Sequence, residues 1–122
     1  MENPKYSVLV VDDQRVNIME ISKALRPDCM IYAAGNGKDA LTVAEQQQPD
    51  MILLDIQLED MSGFDIITAL KSSEKTKDIP VIFITGRTDA ASEEKALALG
   101  AADYIRKPFS PPTLKDRVLQ QL

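Results

Sequence analysis

Three uninterrupted apolar runs stand out along the chain: Ser7-Val-Leu-Val-Val11, Met51-Ile-Leu-Leu54 and Pro80-Val-Ile-Phe-Ile84. Each is short and bounded by polar or turn-forming residues, the pattern of a strand buried on both faces. The first runs into Asp12-Asp13, the second into Asp55 and the third into Thr85. Met30–Ala34 and Asp103–Arg106 predict two shorter strands. The segments between them repeat at helical spacing. Ile18, Ile21 and Leu25 mark a helix from Gln14, stopped by Pro27. Asn36-Gly37 breaks the next strand, and Lys38–Gln48 places Ala40, Leu41 and Ala44 inward. Phe64, Ile67 and Leu70 mark a helix after Gly63, and Lys71–Asp78 reads as a charged surface loop. A fourth helix covers about Ala91–Leu99 and stops at Gly100. Ser110-Pro111 predicts an N-cap with proline at the first helical position, and Leu114, Val118 and Leu122 stripe the last helix.

Strands alternating with helices predict an α/β protein with a parallel sheet covered on both faces. Right-handed crossovers leave few topologies. At this size the doubly wound, flavodoxin-like order 2-1-3-4-5 is expected, with a crevice between the first and third strands. The 122 residues are read as one domain without repeats or internal linkers.

Composition narrows the function. A net charge of -5 and no basic stripe argue against direct nucleic-acid binding. The single cysteine, Cys29, excludes an internal disulfide and fits a reducing compartment. No apolar run is long enough to span a membrane, and Met1-Glu-Asn-Pro-Lys5 holds no apolar leader segment, so a cytoplasmic protein is expected. Histidine is absent, which leaves carboxylates, hydroxyls, lysine or a metal for chemistry.

The strand ends supply all of these. In a parallel sheet Asp12, Asp13, Asp55, Thr85 and Lys107 share one edge. Taken singly, each has an ordinary role: Asp12-Asp13 as helix cap, Thr85 as a strand-end hydroxyl bonded to backbone, Lys107 as a solvated loop lysine. Together they make an acidic crevice that one lysine does not neutralise. Two like charges about 4 Å apart repel by about 4 kcal/mol at an effective dielectric near 20. A retained proton or a recruited cation relieves this. All-oxygen donors with no partnering histidine or cysteine ligands suit Mg²⁺. A carboxylate beside Mg²⁺ is a nucleophile for phosphoryl transfer, with Thr85 and Lys107 placed to contact the phosphoryl oxygens. Gly86 leaves the approach to Asp55 open.

Leu9-Val-Val-Asp12-Asp13, Ile52-Leu-Leu-Asp55, Met61-Ser-Gly63, Ile84-Thr85-Gly86 and Gly100-Ala-Ala-Asp-Tyr104-Ile-Arg-Lys107-Pro108-Phe109 together resemble the receiver domains of two-component response regulators. The resemblance runs through essentially the whole chain. It implies that Asp55 accepts a phosphoryl group from a histidine kinase or phosphotransfer protein. It implies Mg²⁺ held by Asp55 and Asp13, by Asp12 through water and by the backbone carbonyl of Gln57. Thr85 and Lys107 become phosphoryl contacts, and the Lys107–Pro108 bond is expected to be cis. Thr85 and Tyr104 become the switch: Thr85 moves toward the phosphate and Tyr104 turns into the vacated space. The face of helix 4, strand 5 and helix 5 then signals to an output domain or partner, or to a second copy of the chain. Gln57 and Arg87 hold positions that tune the aspartyl-phosphate lifetime. Glu59 and Gly86 depart from the commoner proline and alanine.

Two other readings are open to the same residues. A Mg²⁺-dependent aspartyl-phosphate phosphatase of the haloacid dehalogenase type requires a second acid two residues after the nucleophile, where Gln57 stands. An unphosphorylated dimerisation or binding module has no use for the assembled acids, hydroxyl and lysine. A non-enzymatic switch is therefore expected, either free-standing or cut from a longer regulator. Lys107-Pro-Phe-Ser-Pro-Pro112 is similar to receivers preceding cyclic-di-GMP enzymes, and Asp13-Gln-Arg-Val-Asn17 also occurs in hybrid kinases.

Overall fold

The computed structural model describes residues 4–87 and 89–122. Residues 1–3, the start of the segment read as free of an apolar leader, and Thr88 lie outside the described residues. The elements alternate as β1 (Tyr6–Val11), α1 (Arg15–Leu25), β2 (Cys29–Ala34), α2 (Gly37–Gln47), β3 (Met51–Leu54), α3 (Gly63–Lys71), β4 (Val81–Thr85), α4 (Ala90–Ala98), β5 (Asp103–Arg106) and α5 (Pro111–Gln120). The strands pair in parallel in the order β2-β1-β3-β4-β5, as expected for the flavodoxin-like class. Most boundaries fall within one residue of the sequence reading.

Side-chain alternation along the strands sorts the core into two layers. Leu9, Val11, Ile52, Leu54, Val81 and Phe83 face α2, α3 and α4 through Ala40, Ala44, Ile66, Ile67, Leu70 and Ala96. Val8, Val10, Met51, Leu53, Ile82 and Ile84 face α1 and α5 through Ile21, Leu25, Leu114 and Val118. All residues of β3 and β4 are buried, which is why these strands read as unbroken apolar runs. Leu41, expected inside, is half-buried, and Ile66 takes a fully buried place instead.

Several helix starts are closed by the residue just before them. Ser62 caps α3, Asp89 caps α4 and Ser110 caps α5 with Pro111 at the first position. Gly100 stops α4 at a φ of 105°, a left-handed conformation suited to glycine. Lys107–Pro108 is cis, as the resemblance implied, and so is Arg26–Pro27.

The segment Lys71–Asp78 is not merely a solvated loop. Thr76 is 3% exposed, and its hydroxyl donates to the Leu70 carbonyl at 2.7 Å. Lys71 Nζ donates to the carbonyls of Lys77 and Ile79. A threonine and a lysine thus replace the apolar anchors that pattern reading looks for. Among the described residues no helix is long and apolar enough to cross a membrane.

Candidate functional site

Sheet hydrogen bonding continues one residue past the strands and fixes the site. Asp12 N donates to Ala34 O at 3.1 Å, Asp55 N to Val11 O at 3.1 Å, and Lys107 N to Thr85 O at 2.9 Å. The backbones carrying the two acids and the lysine are therefore held by the same parallel ladder that builds the core.

From that rim the side chains converge. Lys107 Nζ donates to Asp12 Oδ2 at 2.8 Å and to Asp55 Oδ2 at 3.0 Å. Burial alone would lower the pKa of this ammonium, but the hydrogen bonds and charges of Asp12 and Asp55 outweigh burial and raise it above 10.5. Asp12 is 2% exposed and also accepts from Gln14 N at 2.9 Å and Asn17 Nδ2 at 3.4 Å. The other oxygen of Asp55 accepts from Gln57 N at 3.3 Å.

Asp13 is exposed. With Asp55, Gln57, Asn17, Gly86 and Lys107 it borders a cavity of about 390 Å³. The expected crowding of three acids is only partly realised, because Lys107 lies between Asp12 and Asp55. Among the described residues no cluster of three acidic, histidine or cysteine side chains forms a metal cage. The donor set still fits Mg²⁺, which needs only one or two carboxylates and keeps several waters. Asp13, Asp55 and Gln57 border the same open space, and each carries oxygen donors.

Thr85 is 1% exposed, and its Oγ1 accepts from Arg87 N at 3.3 Å. That bond uses a lone pair and leaves the hydroxyl proton free to donate. Tyr104 is 5% exposed, and its hydroxyl donates to the Arg87 carbonyl at 2.9 Å. Desolvation, then the charges of Asp89 and Glu93, raise the phenol pKa. Gln57 and Arg87 are exposed and border a second groove of about 440 Å³ over Leu58, Met61 and Phe64. A Cβ at Gly86 would meet nothing within 4 Å, so the approach is open whether or not this residue is glycine. Gly63 is different: a Cβ there would lie 2.4 Å from the Asp55 carbonyl oxygen.

Two contributors escaped sequence reasoning. Asn17 had drawn notice only as part of a motif, and its contact with Asp12 comes from the first turn of α1 folding back over β1. Asp60, in the polar stretch after β3, accepts from the amides of Gly37 and Lys38 across the fold.

The family model described as "Response regulator receiver domain" matches residues 8–119. The chain belongs to the receiver domains of response regulators. This receiver domain is 43% identical over 112 residues to a probable cyclic di-GMP phosphodiesterase of Vibrio cholerae, covering 92% of this chain and 25% of that protein. It is 34% identical to the DNA-binding response regulator MtrA of Mycobacterium tuberculosis, over the whole of this chain and 53% of that one. The chemotaxis response regulator CheY4 of Vibrio cholerae superposes with a TM-score of 0.89 at 28% identity, covering 96% of this chain and 98% of that chain. The receiver domain spans 25% of the first curated relative and 53% of MtrA, so much of the length of these proteins lies outside the match. Phosphorylation and Mg²⁺ binding are characteristic of the family, whose members are generally not turnover enzymes.

Proposed function

We propose that this domain is a cytoplasmic phosphoacceptor switch in which Asp55 takes a phosphoryl group from a histidine kinase or phosphotransfer protein. The observation that carries this is the ammonium of Lys107 set between Asp12 and Asp55 at an open rim. An Asp55 carboxylate oxygen attacks phosphorus as the P–N bond of a phosphoimidazole breaks. An acyl phosphate forms and the imidazole leaves with the bonding pair. Lys107 already touches Asp55 and is in reach of a phosphoryl oxygen there, and Thr85 supplies a hydroxyl donor. Asp13, Asp55 and the Gln57 carbonyl would hold Mg²⁺, with Asp12 acting through water. Bound there, the ion would neutralise charge on the transferring phosphoryl group. Gln57 and Arg87 flank the path of the water that later hydrolyses the acyl phosphate, and so set its lifetime.

The inward Tyr104 bears on the switch. Its hydroxyl is tied to the residue two beyond Thr85, so a Thr85 drawn toward a phosphoryl group moves the backbone that Tyr104 holds. Phosphorylation then fixes an arrangement that the chain already populates, rather than creating it. The readout face is the groove of about 450 Å³ between α4, β5 and α5, floored by Tyr104 and Ile105 and edged by Leu97, Arg106, Phe109 and Arg117. An output domain, a partner or a second copy would dock there; nucleic acid would be contacted by an output domain, not by this acidic one. The phosphatase reading lacks its acid, since Gln57 holds that place.

Incubation with Mg²⁺ and acetyl phosphate, followed by intact mass, tests the proposal. One phosphoryl mass is expected on the native chain and none on Asp55→Asn. Modification that persists in Asp55→Asn, or rapid turnover of phosphomonoesters, would overturn it.

A further inference from the structure

We propose that Asp60 is a positioning residue for the cation-binding wall of the pocket, clasping the loop that carries Gln57 to the first turn of α2. The inference rests on the phosphoacceptor reading above. That loop leaves the sheet at Asp55 and enters α3 at Gly63. Its ends are pinned by Asp55 N to Val11 O at 3.1 Å and by Gly63 N to Ile56 O at 2.7 Å. Its middle is held by Asp60, whose Oδ1 accepts from Gly37 N at 2.8 Å and whose Oδ2 accepts from Lys38 N at 3.0 Å.

A helix start leaves four amides without partners inside the helix, here those of residues 36 to 39. The Ala40 amide makes the first helical bond, to the Asn36 carbonyl at 3.1 Å, and the Asn36 side chain serves Asp39 N at 2.8 Å. The amides of Gly37 and Lys38 go to Asp60, from a different part of the chain. Those amide bonds, from Gly37 and then Lys38, hold the carboxyl below its usual pKa. The seat is tight as well: a Cβ on Gly37 would lie 2.2 Å from Met61 Cγ. Gln57 and Asp60 border the same groove, and Gln57 also borders the acid cavity. Between Asp55 and Asp60 the loop is held by the 3.3 Å contact of Gln57 N with Asp55 and by Ile56 and Leu58 packed on the core. Without the clasp, the stretch that carries the Gln57 carbonyl loses its hydrogen-bonded tie to α2.

The test compares Asp60→Ala, Asp60→Asn and Asn36→Ala by Mg²⁺ titration followed through backbone amide NMR shifts, at a temperature where circular dichroism shows all folded. Asn36→Ala removes the other α2 cap without touching the loop. Groups that orient metal ligands typically change affinity by 10- to 100-fold, so Asp60→Ala should raise the Mg²⁺ Kd about tenfold, while Asn36→Ala stays within about twofold. Asp60→Asn, which keeps one acceptor oxygen, should fall between. An unchanged Kd in Asp60→Ala while the Gly37 and Lys38 amide resonances move would overturn the positioning role and leave the phosphoacceptor reading standing. Equal losses in Asp60→Ala and Asn36→Ala would reduce Asp60 to a helix cap. A native chain that takes neither Mg²⁺ nor a phosphoryl group would sink both readings.

Discussion

Replacing Lys107 by methionine isolates the charge at the heart of the site. The lysine, Asp12 and Asp55 side chains are 19%, 3% and 12% exposed, so the substitution strands two largely desolvated carboxylates. Removing one partner of a fully buried pair destabilises by about 3–5 kcal/mol. Asp12 keeps its bonds from Gln14 N and Asn17, and Asp55 retains some solvent, so about 2 kcal/mol is the expected loss at neutral pH without metal. At roughly 4 °C per kcal/mol for a domain of this size, Tm should fall by about 8 °C. Urea unfolding with and without Mg²⁺ is the assay. Mg²⁺ offers the carboxylates another cation, and at about 100 times its Kd a ligand adds about 2.7 kcal/mol. The variant should therefore recover at least as much stability from Mg²⁺ as the native chain does. The pH dependence has a definite sign. The folded pKa of Lys107 lies above the 10.5 of the free side chain, so its stabilisation is present below that value and is lost as pH rises through the folded one. On the alkaline side, the native chain should lose its advantage over the variant as pH rises through that range. A variant as stable as the native chain at pH 7 would refute the ion-pair account.

Three further substitutions probe close packing and the proposed switch. Gly37→Ala drives a methyl into Met61 and should destabilise by about 1–3 kcal/mol, whereas Gly86→Ala enters open space and should stay within about 0.5 kcal/mol, both read by urea melts. Tyr104→Phe keeps the ring but loses the 2.9 Å bond to Arg87; about 1 kcal/mol of stability should go, and beryllofluoride should shift the α4–β5–α5 amide resonances less than in the native chain.

The strands were legible because β1, β3 and β4 are buried on both faces and so appear as unbroken apolar runs. The site was legible for a related reason: each run stops at a polar residue that the sheet must deliver to one edge. What escaped was set by tertiary contact. Asp60 and Asp89 both look like turn carboxylates, but Asp89 caps its own helix while Asp60 caps one more than twenty residues earlier in the chain. Thr76 hid because a hydroxyl bonded to a carbonyl can be buried where the charged residues around it suggested solvent. The inward placement of Tyr104 depends on the Arg87 carbonyl and on Phe83, neither of which neighbours it in sequence.

Lys95 Nζ lies 4.6 Å over the Phe64 ring, Phe64 packs tilted against Phe83 at 5.9 Å, and Phe83 lies 6.2 Å from Tyr104. Expelling the tyrosine would forfeit its hydrogen bond, about 1 kcal/mol, and open a void beside Phe83 at about 24 cal/mol per Å³. On the phosphoacceptor reading, the position of Tyr104 is governed by core volume at residue 83 as well as by charge at residue 55. Trimming that one benzene ring should shift the tyrosine while leaving Asp12, Asp55 and Lys107 in place.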